Sequence, residues 1–262
     1  GYAAAKSRLW RNTQAGDIAI VGTDGPFGQA EAETAAAAGR RIIPISGTHA
    51  PDGGVGVENG MLISLLGAKP EQLAVLAECP ALPGSHNGEN AAAVAAAAIC
   101  MGLTPAEITD GLKSFPGLAH RQEQVRRLGH VDYVNDSKAT NAESTAKALV
   151  CYPRIYWICG GLAKAGGIAP LTPLFRGVAS AFLIGEAAPA FAETLETAAI
   201  RHSVEGDLLT ALAAAHQAAQ ADPLPSTILL SPACASFDQW SSFEARGDAF
   251  RAAVLALEET RQ

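Results

Sequence analysis

The sequence predicts an α/β protein in two parts, with strands and helices alternating along both. Three observations carry that prediction. Short apolar runs are separated by longer helical patterns, the arrangement of a mostly parallel sheet covered on both faces. The pattern breaks at Pro116-Gly117 and then restarts, which divides the chain into residues 1–117 and 118–262. Two polar segments, Asn135-Asp136-Ser137-Lys138-Ala139-Thr140-Asn141 and Ser231-Pro232-Ala233-Cys234-Ala235-Ser236-Phe237-Asp238-Gln239, each begin where an apolar run ends, Val131 to Val134 and Thr227 to Leu230. Open α/β sheets bind ligands at the carboxyl ends of their strands, so the two segments read as parts of one site.

In the first part, Asp17 to Val21 reads as a strand, Gln29 to Ala38 as a helix stopped by Gly39, and Arg41 to Ile45 as a second strand. Val55-Gly56-Val57 and Met61 to Leu65 flank Glu58-Asn59-Gly60, a hairpin signal. Asn87 to Met101 is an apolar helix with Asn87 in the capping position. Thr104-Pro105-Ala106-Glu107 supplies an N-cap, a proline at the first helical position and a capping-box glutamate for a helix ending near Phe115.

Beyond the break, Gln124 to Leu128 and Val131 to Asn135 form a hairpin about Gly129-His130. Asn141 to Val150 is helical. Ile155 to Cys159, Ala179 to Ile184 and Thr227 to Leu230 are buried strands, and helices cover Ala188 to Ala199, Asp207 to Ala221 and Phe243 to Thr260.

Composition narrows the class. With 262 residues, 48 % apolar and 17 % charged, the chain buries a substantial core. A formal charge of −7, with no basic cluster beyond Arg126-Arg127, argues against a general nucleic-acid binder. Five scattered cysteines without a C-x-x-C pair fit reduced thiols in the cytoplasm better than a zinc site. The apolar stretch from Asn90 to Leu103 is shorter than the roughly 20 residues a membrane span requires. No signal peptide is visible, and a first residue other than Met suggests an excised piece.

The chemistry is mixed. Asp136, Lys138, Thr140 and Asn141 place an acceptor, a cation and neutral hydrogen-bonding groups in one loop, which suits a polyhydroxyl or phosphate-bearing ligand or, equally, a solvated helix-capping turn. Ser236 and Asp238 carry the same two readings. Gly160-Gly161-Leu162-Ala163-Lys164 follows a buried strand and either lets backbone approach an anion beside Lys164 or makes a plain left-handed turn. His86-Asn87-Gly88-Glu89-Asn90 opens a helix, where free N–H groups favour polar or anionic ligands. His120-Arg121 lies just past the break, a ligand cleft or a packed hinge. Gly22 to Gly28 matches no phosphate-binding fingerprint and reads as a βα turn; no hydrolase or zinc-protease motif is present.

Taken in order, these residues resemble the Mur ligase family. The matching stretches are Gly84-Ser85-His86-Asn87-Gly88-Glu89-Asn90, Gly117-Leu118-Ala119-His120-Arg121, Asn135 to Asn141, Gly160-Gly161-x-x-Lys164, Ser231 to Gln239 and Phe243-Glu244-x-Arg246-Gly247. The resemblance implies the C-terminal part of a P-loop-type ATPase domain followed by a Rossmann-like, mostly parallel α/β domain. It also implies an ADP-forming ligase of peptidoglycan synthesis that uses ATP and Mg²⁺ to add D-glutamate to UDP-N-acetylmuramoyl-L-alanine. Phosphorylating the acceptor carboxylate replaces an oxide leaving group by phosphate before the amine attacks.

Residue by residue, Asn90 is similar to the adenine contact, with Asn87 in support, Arg121 to the ATP-phosphate contact and Asp136 to the ribose contact. Thr140, Lys164, Ser236, Phe237 and Phe243 resemble the D-glutamate site, lined by Lys138 and His120. Lys6 matches a carbamylated lysine; CO₂ on its neutral amine would create an oxygen ligand for Mg²⁺.

The family's N-terminal substrate domain, its P-loop and the Glu and His that hold Mg²⁺ have no counterpart among these 262 residues. The expectation is a partial chain with an incomplete metal site, unable to hydrolyse ATP or ligate alone. A dinucleotide-dependent oxidoreductase lacks its glycine fingerprint here. A non-catalytic module binding a nucleotide or an amino acid is the alternative. In either case, loops at the strand tips of the second part are expected to converge on a pocket for an amino diacid, facing a nucleotide shelf from the first part.

Overall fold

The computed structural model describes residues 2–258, with side chains for 4–258. Two compact units meet in sequence at Pro116 and Gly117.

The first unit runs α1 (Tyr2–Lys6), a 3₁₀ helix (Ser7–Asn12), β1 (Ile18–Gly22), α2 (Pro26–Ala37), β2 (Arg41–Ser46), β3 (Val55–Glu58), β4 (Met61–Ser64), β5 (Glu71–Val75), α3 (Ser85–Cys100) and α4 (Pro105–Ser114). Its sheet has the order β1-β2-β3-β4-β5, parallel across the first three strands and antiparallel across the rest. Ile43, Val55 and Leu62 pack on the alanine face of α3, Ala91, Ala92, Ala95 and Ala96, all buried. Small side chains there let the helix lie close to the sheet. Thr104 and Glu107 form the expected capping box at the start of α4.

The second unit contains β6 (Glu123–Leu128), β7 (Val131–Asn135), α5 (Ala142–Leu149), β8 (Ile155–Gly160), β9 (Leu162–Ala163), a 3₁₀ helix (Ala169–Gly177), β10 (Val178–Ile184), α6 (Ala188–Thr197), β11 (His202–Gly206), α7 (Leu208–Ala221), β12 (Ser226–Leu230), β13 (Cys234–Ala235) and α8 (Phe243–Ala256). Its main sheet is ordered β11-β10-β8-β12-β7-β6, and only the β6–β7 hairpin is antiparallel. This is a Rossmann-like α/β domain. Side chains alternate across the sheet. Val134, Trp157, Cys159, Leu183 and Leu229 meet α5, the 3₁₀ helix and α6 on one face. Tyr133, Ile158, Phe182, Ile228 and Leu230 meet α7 and α8 on the other. Each large side chain so buried contributes roughly 1.5–3 kcal/mol of transfer free energy. Burial on both faces explains why β8 and β12 read as unbroken apolar runs.

Several boundaries differ from expectation. α2 starts at Pro26, because proline is accommodated in a first turn. α6 stops at Thr197, before Ala199 turns to φ 55°. α8 ends at Ala256 rather than Thr260, and residues 259–262 lie outside the described part. β5, β11 and the short β9–β13 ladder carried no clear alternation in sequence. β5 and β11 are edge strands with one neighbour each, so their pairing follows from the sheet beside them.

Candidate active site

In the second unit the polar segments follow the carboxyl ends of β7, β8 and β12, three neighbouring strands. Their convergence is held by specific bonds. Asp136 N–H donates to Leu230 O at 2.7 Å, and Gly160 N–H to Pro232 O at 3.0 Å. β9 pairs antiparallel with β13, Cys234 opposite Ala163 and Ala235 opposite Leu162. The loop bearing Lys164 is thereby zipped to the loop bearing Ser236.

Gly160 and Gly161 make that zip feasible. Their φ values are 125° and 124°, well away from an ordinary left-handed turn, which corrects the plain-turn reading. A methyl group on Gly160 would lie 1.9 Å from Ile184 O, and one on Gly161 2.5 Å from Ala235 O. Only glycine permits strands to approach this closely.

Asp136 is buried, 5 % exposed. It accepts from Gln122 N–H at 3.1 Å and from the Ser231 hydroxyl at 2.8 Å. Burial pushes its pKa up to about 7, against the opposing pull of Ser231, Gln122 and the Arg121 charge. Two of the roughly four lone-pair positions of a carboxylate are thus used, and the segment is no solvated turn. Asn141 does cap α5, accepting from Ser144 N–H at 2.8 Å.

His120 is buried with φ 62°. Its Nδ1 lies 3.1 Å from Asn135 Nδ2, its Nε2 3.6 Å from Asp248 Oδ1, and its carbonyl accepts from Lys138 N–H at 3.0 Å. The ring stands edge-on to Phe243, centroids 6.2 Å apart. Above the same half-buried Phe243, the exposed Lys138 ammonium sits 5.0 Å from the ring centroid, a cation–π contact. His120, Phe243 and Lys138 therefore form one stack.

Thr140 is half-buried, while Lys164, Arg121 and Phe237 are exposed. Phe237 is 70 % exposed, so its ring is not packed into the protein. Ser236 is buried, and its carbonyl accepts from Gln239 and Trp240 N–H at 3.1 and 2.7 Å. Cation, hydroxyls and aromatic rings around one strand edge suit a small carboxylate-bearing ligand.

Sequence reasoning assigned no role to the groups that hold this edge. Asn135 Nδ2 donates to Glu123 Oε2 and Gly247 O, both at 3.1 Å. Arg246, 1 % exposed, donates to Ser137 Oγ, Ser137 O and Cys234 O at 3.0, 2.9 and 3.2 Å. Burial lowers its pKa to about 10. The Arg246-Gly247 pair within the last motif was the available signal.

In the first unit, α3 begins at Ser85 behind Gly84, φ 83°. Asn87 is therefore inside the first turn and is not the cap, which corrects the expectation. Its Nδ2 donates to Pro83 O at 2.7 Å, and its Oδ1 accepts from Asn90 Nδ2 at 3.2 Å. The pair is pre-oriented on one helical face. A cleft of about 430 Å³, lined by Gly47, Leu76, Leu82, Pro83, Gly84 and Ser85, opens beside this turn. Nearby, burial raises the Asp24 pKa, but bonds from Ser46, Gly47 N–H and Thr48 bring it below the usual value.

Lys6 is exposed at the end of α1. Among the described residues no group of three or more His, Cys, Asp or Glu side chains could hold a metal ion. The donors present among the described residues do not by themselves make a Mg²⁺ site. A crevice of about 750 Å³ lies at the opposite, amino-terminal edge of the second sheet, beside the Arg154–Asp222 ion pair. Among the described residues no helix is long and apolar enough to cross a membrane.

No family model matches the chain. It is 50 % identical over 258 residues to the UDP-N-acetylmuramoylalanine–D-glutamate ligase of Caulobacter sp. (strain K31), covering 98 % of this chain and 55 % of that protein. Against the enzyme of the same name from Chelativorans sp. (strain BNC1) it is 50 % identical over 257 residues, covering 98 % and 54 %. The chain spans about half the length of these curated relatives. Among solved structures, MurF from Acinetobacter baumannii superposes with a TM-score of 0.65 at 18 % identity, covering 98 % of this chain and 56 % of that one. The bifunctional folylpolyglutamate synthase/dihydrofolate synthase from Yersinia pestis CO92 gives 0.64 at 20 %, covering 98 % and 57 %. At those identities the likeness speaks for the fold.

Proposed function

We propose that this chain, a Mur ligase sequence over 98 % of its length, is part of an ATP-dependent, ADP-forming enzyme that joins D-glutamate to UDP-N-acetylmuramoyl-L-alanine. In this reading residues 1–117 are the end of the ATPase domain and 118–262 the amino-acid-binding domain. The γ-phosphoryl group of ATP passes to the acceptor carboxylate, ADP leaves, and the amine of D-glutamate displaces phosphate through a tetrahedral intermediate. Asn87 and Asn90 take the base, Arg121 the phosphates and Asp136 the ribose. Thr140, Lys164, Ser236, Phe243 and the backbone of Phe237 take D-glutamate. His120 and Lys138 line the reacting end, and Lys6, as a carbamate, serves a metal whose other ligands are absent from these residues.

The observation that supports this reading best is the β9–β13 ladder, which joins the Lys164 and Ser236 loops beside the Asp136 loop. Lys164 supplies a point charge for a carboxylate, and hydroxyls of Thr140 and Ser236 supply neutral donors. The enzyme so described works in the cytoplasm. The chain carries no G-x-x-x-x-G-K-[ST] motif, so it is expected to be inactive alone. Calorimetric titration with D-glutamate and with L-glutamate tests the amino-acid site: heat from the D isomer in preference to the L isomer is expected, and silence toward both would remove the assignment. ADP release above background from the 262 residues would contradict the inactivity.

A further inference from the structure

Three of the four buried side-chain polar atoms without a partner among the described residues fall in one short stretch: Asp238 Oδ1, Trp240 Nε1 and Arg246 Nη1. Buried polar groups are nearly always paired, so such a cluster marks a place shaped by something other than stability. Arg246 is its cationic member and is 1 % exposed. An aliphatic side chain of similar volume would pack there without the desolvation that a buried cation suffers.

The bonds of the guanidinium indicate what the charge is for. Nε and Nη2 reach Ser137, one residue before Lys138 and three before Thr140; Nη2 also reaches Cys234 O, two residues before Ser236. Ser137 Oγ donates onward to Phe243 O at 2.8 Å, at the first residue of the helix that carries Arg246. The remaining nitrogen, Nη1, faces the third loop: a methyl group on Gly161 would come within 3.3 Å of it. On the other side of Gly161, Asp238 Oδ2 would meet a methyl group on Gly185 at 2.2 Å and accepts from Glu186 N–H at 3.1 Å.

We propose that Arg246 is a positioning residue that ties the Ser137–Thr140 loop to the Cys234–Ser236 loop, which the β9–β13 ladder joins in turn to the Gly161–Lys164 loop, so that Lys164, Thr140 and Ser236 meet an amino diacid together. A rigid planar fork of donors is what this task needs, because a single side chain must address two loops at fixed angles. Lysine offers a charge without the fork. This inference rests on the reading that these loops take D-glutamate.

Steady-state kinetics on the full-length protein, in wild type and in Arg246→Lys, Arg246→Met and Arg246→Ala, test it. The expected result is a KM for D-glutamate raised about tenfold or more in all three, with the KM for ATP changed less than about twofold. Added guanidinium should restore part of the D-glutamate KM in Arg246→Ala and none in Arg246→Met, where the cavity is filled. A merely structural arginine would lower the yield of active enzyme and hence the apparent kcat, leave both KM values in place and give no rescue; that outcome overturns the proposal. Should the arginine variants fail to fold, Ser137→Ala keeps Arg246 but removes one of its acceptors, and an unchanged KM for D-glutamate there also overturns it. If wild type does not use D-glutamate, the functional reading fails first and this inference falls with it.

Discussion

The Ser231 hydroxyl donates to the Asp136 carboxylate at 2.8 Å across a sequence separation of 95 residues, entirely inside the protein. It also approaches Thr145 Oγ1 at 3.1 Å, so one hydroxyl joins the tips of β7 and β12 to α5. With Gln122 N–H, it is what keeps a buried carboxylate tolerable.

Asp136 predicts a pH dependence. Its folded pKa of about 7 lies above the ordinary aspartate value of 3.8. Between those values the folded state binds more protons than the unfolded state, so stability from this group is complete below pH about 4 and is lost as pH rises through 7. Asp136→Asn, which keeps an acceptor for Gln122 N–H, should gain stability relative to wild type as pH rises from 5 to 8. Urea unfolding at both pH values checks this; a difference independent of pH would refute it.

Ser231→Ala removes a donor from the ionised form. The cost is expected to be about 1–3 kcal/mol, and larger at pH 8 than at pH 5, because the lost bond stabilised the charge. Denaturant midpoints at the two pH values measure it.

Gly247 bears on His120. A methyl group there would lie 2.2 Å from His120 Nδ1, in a buried place where the ring is already held by Asn135. Gly247→Ala should cost about 1–3 kcal/mol through overpacking and shift the His120 ring resonances in NMR spectra. Gly111→Ala, with open space at the same helical context, is the control and should be neutral or stabilising.

Thr104→Ala tests the first unit. Loss of the capping box should destabilise by about 1 kcal/mol, visible as a lower urea midpoint with an unchanged slope.

Lys164→Met removes the exposed cation of the β8 loop while keeping its stem. Affinity for D-glutamate should fall about tenfold or more with little change in thermal midpoint. Equal affinity in the variant would take Lys164 out of the site.

Much of this molecule was legible in one dimension. Apolar runs such as Ile155 to Cys159 and Thr227 to Leu230 announce strands buried on both faces, and Thr104 with Glu107, or Asn141 before Ala142, announce helix starts, because capping and periodicity are local properties. Strands β5 and β11 were not legible, since neither carries a clear apolar alternation and each takes its pairing from the one strand beside it. Nor was the cap of α3: Gly84 rather than Asn87 occupies it, and the helix starts where the chain leaves Pro83.

The sequence by itself determined which residue types stand at the strand tips and the spacing at which they recur. Only the tertiary structure decided that Asp136 is buried rather than solvated, that Gly160 and Gly161 admit close strand approach, and that Arg246 reaches Ser137 and Cys234 together. The reason is physical: a pKa, a glycine's necessity and a guanidinium's partners depend on atoms brought near from about a hundred residues away, and no local window contains them.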